Sequence, residues 1–258
     1  VSGAEFLEAL PHLAFQAMLL LARMGACGMV LPGLGEQEVP VTIRLALALS
    51  VVALLLPVIG PQLPPEPQDA ATLLRLIAIE IAIGFWIGWL ARLMVYAVQV
   101  AGQAIGLMIG LSSVLSQDPT MGEGSTALGR FFGLAAVSLL LASGLYALPL
   151  RALAESYTLL PVGAALPAGE AAEAVAQASA ASFALALRLA APLILLTLLL
   201  QMGSGLLARI APQAQVYILA MPAQSLAGIA LLALLLPALL AFWGEATRAG
   251  FSMLPGLN

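Results

Sequence analysis

Six long apolar runs, almost free of charge, limit what this chain can fold into more than any other feature. They are Leu7–Leu31, Val41–Ile59, Ala71–Met94, Ala127–Leu148, Phe183–Leu200 and Val216–Phe242. A helix needs about 20 mostly apolar residues to cross roughly 30 Å of bilayer hydrocarbon. Barrel strands would instead alternate in hydropathy over about ten residues, whereas these runs are continuous and rich in Leu and Ala. The reading is all-α: a polytopic helical membrane protein with a single membrane domain. Charge supports it, because only 9% of residues are charged and a soluble domain carries about 25%. All nine basic residues are arginine and the net charge is −4. With no basic patch, nucleic acid is not an expected partner.

Punctuation lies between the runs. Leu31-Pro32-Gly33-Leu34-Gly35 ends the first helix, and Pro40 marks the start of the second. Proline cannot continue a helix and disfavours helix in its predecessor, so Pro61-Gln62-Leu63-Pro64-Pro65-Glu66-Pro67 reads as extended. The third run is expected to continue as one long helix to about Leu111, followed by a loop over Ser112–Ser125. The fourth ends near Tyr157–Gly163, and Glu170–Ser182 reads as an alanine-rich amphipathic approach to the fifth. Arg44, Arg130 and Arg209 fall near connections on one side, and Arg75, Arg151 and Arg248 on the other. That balance gives no orientation signal, which suggests that an assembly helps to define placement.

Arg23, Glu80, Arg92 and Arg188 stand inside apolar helices. A charge at the bilayer centre costs from about 2.5 to over 10 kcal/mol, so such residues face protein or water. They either line a conduit and join subunits, or form buried pairs within one bundle, such as Arg23 with Glu80. Gly84, Gly88, Gly102, Gly106 and Gly110 recur at helical spacing in the third run. Without a Cβ they let another backbone approach, either within the chain or in a ring of helices from several subunits. Asp118-Pro119 sits in a glycine-bearing loop that is a functional element or an ordinary turn. Met94, Met108 and Met121 lie around it, flexible enough to seal a gap or to serve as plain core.

Catalytic groups are sparse. His12 is the sole histidine and Cys27 the sole cysteine, whereas a metal site normally takes three or four ligands. Ser125 and Ser204 have glycine neighbours but no assignable base, and no phosphate-binding loop is present. No enzyme activity, metal or cofactor is expected.

In chain order, Arg23, Pro32, Pro40 and Arg44 resemble the first helical hairpin of the FliR family of flagellar type III export-gate proteins. Glu80, Gly84, Gly88, Gly102, Gly106, Gly110 and Asp118-Pro119 continue the likeness. Ser156-Tyr157 with Leu160-Pro161-Val162-Gly163 is similar to the family's Ser-aromatic and Leu-Pro-x-Gly stretch. Arg188, Pro192, Gly205, Arg209, Pro212-Gln213 and Pro222 resemble its C-terminal signature. The resemblance implies a FliP-like part over residues 1–165 and a FliQ-like hairpin over 166–258. It also implies a gate built with several FliP-like and FliQ-like copies and a FlhB-like subunit, passing unfolded flagellar proteins. That gate would sit in the bacterial inner membrane at the flagellar basal body, with hairpins partly raised above the membrane plane.

By the same resemblance the loop over Leu111–Ser125 is a gate plug, carried by Ser113, Ser116, Gln117, Asp118, Pro119, Met121 and Gly122. Relatives often place aromatics where Ser113 and Ser116 stand, so this plug would be smaller and more polar. Leu145 is another departure, standing where many relatives carry histidine. The related gate subunit of a virulence injectisome shares the pattern. A secondary transporter with helices broken at Pro192 and Pro222 is the alternative of another class. An intramembrane protease is disfavoured, because His12 alone supplies no convincing dyad.

Overall fold

A computed structural model describes residues 3–36, 38–111, 127–210 and 216–257. Among them are seven α-helices and no strand. The helices are α1 (Gly3–Val30), α2 (Val41–Ile59), α3 (Ala70–Met108), α4 (Ala127–Ala142), α5 (Ala147–Leu159), α6 (Ala168–Ile210) and α7 (Val216–Ser252). A 3-10 turn, Gly60–Gln62, follows α2. Five helices are long and apolar enough to cross a membrane, or up to six spans if α4 and α5 count together as one.

The ends follow local chemistry. α1 gives way at Pro32 to a turn that Gly33 permits with φ +88°. α2 begins after Pro40, whose extended backbone (φ −56°, ψ 140°) makes the N-cap. At α3, Asp69 accepts the Thr72 backbone N–H at 2.7 Å, satisfying one of the donors left over at a helix start. The Thr72 hydroxyl, which also donates to this carboxylate, and then the Thr72 backbone N–H hold the Asp69 carboxyl below its ordinary value.

The fourth run departs from expectation. Instead of one helix, it is interrupted between Ala142 and Ala147, with Gly144 at φ +73°. Only glycine adopts that conformation without strain, and α5 then carries the chain on to Leu159. The alanine-rich approach at Glu170–Ser182 is continuous with the fifth run, giving α6 its 43 residues. Pro192 and Pro222 lie inside continuous α6 and α7, so neither breaks its helix.

The chain divides into two compact units, Val1–Leu93 with Leu140–Ala178 and Arg248–Asn258, and Met94–Leu139 with Ser179–Thr247. In the first, Phe15, Leu19 and Leu76 form a buried cluster backed by Leu73, Ile77 and Val162. Gln16 Nε2 donates to the Gly60 carbonyl at 2.8 Å, tying α1 to the turn after α2. In the second, buried Trp243 donates its indole N–H to the Met94 carbonyl at 2.8 Å.

Candidate functional site

α1, α3 and α5 converge on one arginine. Arg23 and Glu80 are both fully buried, with Arg23 Nε donating to Glu80 Oε2 at 2.7 Å and Nη2 to Oε1 at 3.1 Å. The remaining nitrogen and the second N–H of Nη2 are engaged as well: Nη1 reaches Ser156 Oγ at 3.1 Å and Nη2 the Leu160 carbonyl at 2.9 Å. The Tyr157 ring lies under the guanidinium, 3.9 Å from its carbon to the ring centroid. A two-pronged guanidinium–carboxylate pair is the geometry that offsets desolvation best, because each carboxylate oxygen removed from water meets a charged donor. The Tyr157 hydroxyl is buried with no hydrogen-bond partner among the described residues.

The same contact needs two glycines. A Cβ on Gly84 would run into the Arg23 carbonyl oxygen, and one on Gly88 would stand 2.9 Å from that of Cys27. Arg23 and Cys27 are four residues apart, as are Gly84 and Gly88, so one helical ridge lies directly on another. Close backbone approach is what lets a side chain as long as arginine close a tight pair.

The rest of the glycine series has other duties. A Cβ on Gly102 would meet Leu128 O at 2.9 Å and the Phe132 ring at 2.8 Å, and Gly133 on α4 returns the contact against Gln99 of α3. Gly106 and Gly110 close the end of α3. Leu111 N donates to Gly106 O at 3.0 Å and Gly110 N to Leu107 O at 3.2 Å, with Gly110 at φ +79°. This is a Schellman ending. The next carbonyls, Met108 O and Ile109 O, accept from Gln224 Nε2 and Ser225 Oγ of α7, each at 2.7 Å. Gly228 of α7 packs directly on the Ile109 side chain.

Two further charges sit differently. Arg92 pairs with Glu36 in the α1–α2 loop, both Nη atoms lying 3.2 Å from its carboxylate oxygens. Arg188 is exposed on α6, and no described residue gives it a hydrogen bond or ion pair. The loop residues Ser113, Ser116, Gln117, Asp118, Pro119, Met121 and Gly122, and the pair Pro212-Gln213, lie outside the described residues. Sequence reasoning quoted Ser156-Tyr157 without linking them to Arg23, and it missed Gln224 and Ser225. Polar residues inside otherwise apolar helices were the available signal.

Reactive groups stand apart. No group of three or more His, Cys, Asp or Glu that could hold a metal occurs among the described residues. His12 Nε2 lies 2.9 Å from Gln16 Nε2, and the Ser204 hydroxyl donates to the Gln201 carbonyl of its own helix.

Residues 14–250 match the family model described as "Bacterial export proteins, family 1". The flagellar biosynthetic protein FliR of Caulobacter vibrioides is 35% identical over 238 residues, which is 91% of this chain and 95% of that protein. The FliR protein of Escherichia coli strain K12 is 32% identical, covering 82% of this chain and 80% of its own. The Yop proteins translocation protein T of Yersinia pestis is 30% identical over 80% of each.

Proposed function

Because the chain belongs to the bacterial export proteins of family 1, the family of the FliR proteins, we propose that it is a membrane subunit of a flagellar type III export gate. The observation that carries this is the extent of the match: 91% of the chain aligns with 95% of a flagellar relative. The likeness to a Yop translocation protein at 30% against 35% keeps the injectisome gate as a second reading. A swimming assay after deletion separates them, since only the flagellar subunit is needed for motility.

In this reading the chain is a non-enzymatic part of a gated conduit for unfolded flagellar proteins. Residues 1–165 take a FliP-like place and residues 166–258, which include α6 and α7, a FliQ-like one, beside several copies of those subunits and a FlhB-like protein. Helix length supports an arrangement partly raised above the membrane plane. α6 has 43 residues, about 64 Å at 1.5 Å per residue, roughly twice the hydrocarbon thickness. Leu195, Leu199 and Met202 on its exposed side are at least 59% accessible in the single chain, apolar surface that partner helices would cover.

Two experiments test it. Tagged chain extracted in mild detergent is expected to bring down two smaller helical membrane proteins in molar excess; a lone monomer would sink the proposal. Shortening Ser116–Gly124 is expected to make the closed gate leak ions. Background conductance from an intact assembly would remove the plug role and leave the gate assignment standing.

A further inference from the structure

Between α1, α2 and α5 in the first unit lies a cavity of about 380 Å³. Its walls are apolar, with Leu21, Met24, Leu45 and Val51 among them, and among the described residues Arg44 is the only charged one lining it. Two observations set it apart from a packing defect.

The first concerns Gly25 and Gly28, which line the cavity from α1. A Cβ on Gly28 would meet nothing within 4 Å, and one on Gly25 would meet only the tip of Leu21 at 4.0 Å. Glycine is less favourable than alanine inside a helix, and no close backbone approach justifies it at either position, unlike at Gly84 and Gly88. What these two glycines do is keep the cavity open.

The second concerns Arg44 itself. Its Nε donates to the Val39 carbonyl at 3.1 Å, and its Nη2 donates to the carbonyls of Val39 and Glu36. Nη1 makes no hydrogen bond among the described residues, and no carboxylate there pairs with the guanidinium. The nearby Glu36 carboxylate is occupied by Arg92. Arg44 is the fourth residue of α2, one turn in from the polar loop, at the depth of lipid headgroups for a helix that crosses. From Arg44 to Val51 the wall runs seven residues further, about 10 Å toward the membrane centre.

We propose that this cavity is a binding site for an anionic phospholipid, one acyl chain lying along the α1–α2 wall and its phosphate held by Arg44. Water is a poor occupant, because the walls lack the two to four polar partners a buried water needs. A basic residue at the mouth of a cleft between membrane helices is what selects an anionic headgroup.

The test uses the full-length chain in phosphatidylcholine nanodiscs doped with one photoreactive lipid. That lipid is phosphatidylglycerol or phosphatidylcholine carrying the same diazirine-bearing acyl chain. Phosphatidylglycerol is expected to label peptides spanning residues 21–31 and 41–51 about fivefold more than phosphatidylcholine. Gly28→Leu fills the cavity and should remove that labelling. Arg44→Gln leaves the cavity in place and should make the two lipids label equally, with Arg44→Lys restoring the preference; this pair decides the matter if Gly28→Leu does not fold. Equal labelling of the natural chain by both lipids, or labelling indifferent to both substitutions, overturns the proposal. So does a protein adduct rather than a lipid adduct from a photoreactive amino acid at Leu45 in intact cell membranes, since a partner helix would then fill the space.

Discussion

The contact between α1 and α3 and the exposed side of α6 are made of similar residues put to opposite use. Each sets an arginine and a pair of glycines in apolar helices, on α1 and α3 in the first and on α6 alone in the second. At Arg23 every donor group of the guanidinium is engaged, and Gly84 and Gly88 are filled by the facing backbone. At Arg188 no described residue offers a partner, and a Cβ on Gly203 or Gly205 would meet nothing within 4 Å. In the first region the ion pair and the glycines are met within one chain. The second leaves its arginine and its glycines exposed among the described residues.

Breaking the first region should have the largest effect. Glu80→Ala leaves a buried guanidinium unpaired and should destabilise the detergent-solubilised chain by about 3–5 kcal/mol. Arg23→Met with Glu80→Leu should recover most of that loss in thermal unfolding, and failure to recover would mean that the pair does more than satisfy itself. Next comes Gly84→Ala, which drives a methyl into the Arg23 carbonyl and should cost about 1–3 kcal/mol. Gly203→Ala is the contrast, expected to be neutral or stabilising by up to about 1 kcal/mol in the isolated chain. Equal losses at the two glycines would mean that Gly84 is packed no more closely than Gly203.

The end of α3 lies between these extremes. Gln224→Ala and Ser225→Ala each strip a hydrogen bond from a helix-end carbonyl and should cost about 0.5–1.5 kcal/mol, read as earlier hydrogen exchange at the last turn of α3. Arg188→Ala sharpens the comparison from the other side. Its effect on the unfolding of the chain alone should stay within about 0.5 kcal/mol, while recovery of co-purifying membrane proteins falls severalfold; unchanged recovery would separate Arg188 from assembly. The smallest effect belongs to Asp69, fully exposed at the start of α3. Its carboxyl is held below its ordinary 3.8 by the bonds from Thr72. Its contribution is therefore complete above that value and lost as pH falls through the folded one. Asp69→Asn should flatten a shallow loss of stability seen only in acid.

How much of this could be read from residues alone depended on range. The spans were legible because a bilayer demands length and apolarity together, and α2 was found at its observed limits. The interruption at Gly144 was not, since a single Ser-Gly in an apolar run is compatible with a continuous helix until the backbone is seen at positive φ. The first part of α6 was legible as an alanine-rich amphipathic approach, because alanine is weakly apolar while being an excellent helix former, and the helix begins two residues before it, at Ala168. Glu80 could be offered as a partner for Arg23 because both are charges in apolar helices. Ser156 and Leu160 could not, being more than 130 positions away and chemically ordinary. Likewise nothing in the sequence around Gln224 pointed to Met108, although both were in plain view.

The closure of α3 has an evolutionary corollary. Gly110 turns the chain, Leu111 completes the motif, and α7 takes the two carbonyls left over. Among the described residues, the last turn of α3 is thus fixed by side chains of another helix of the same unit. A substitution at Gln224 or Ser225 therefore reaches the end of α3 at once, so these positions on α7 and the closing turn of α3 are bound to vary together.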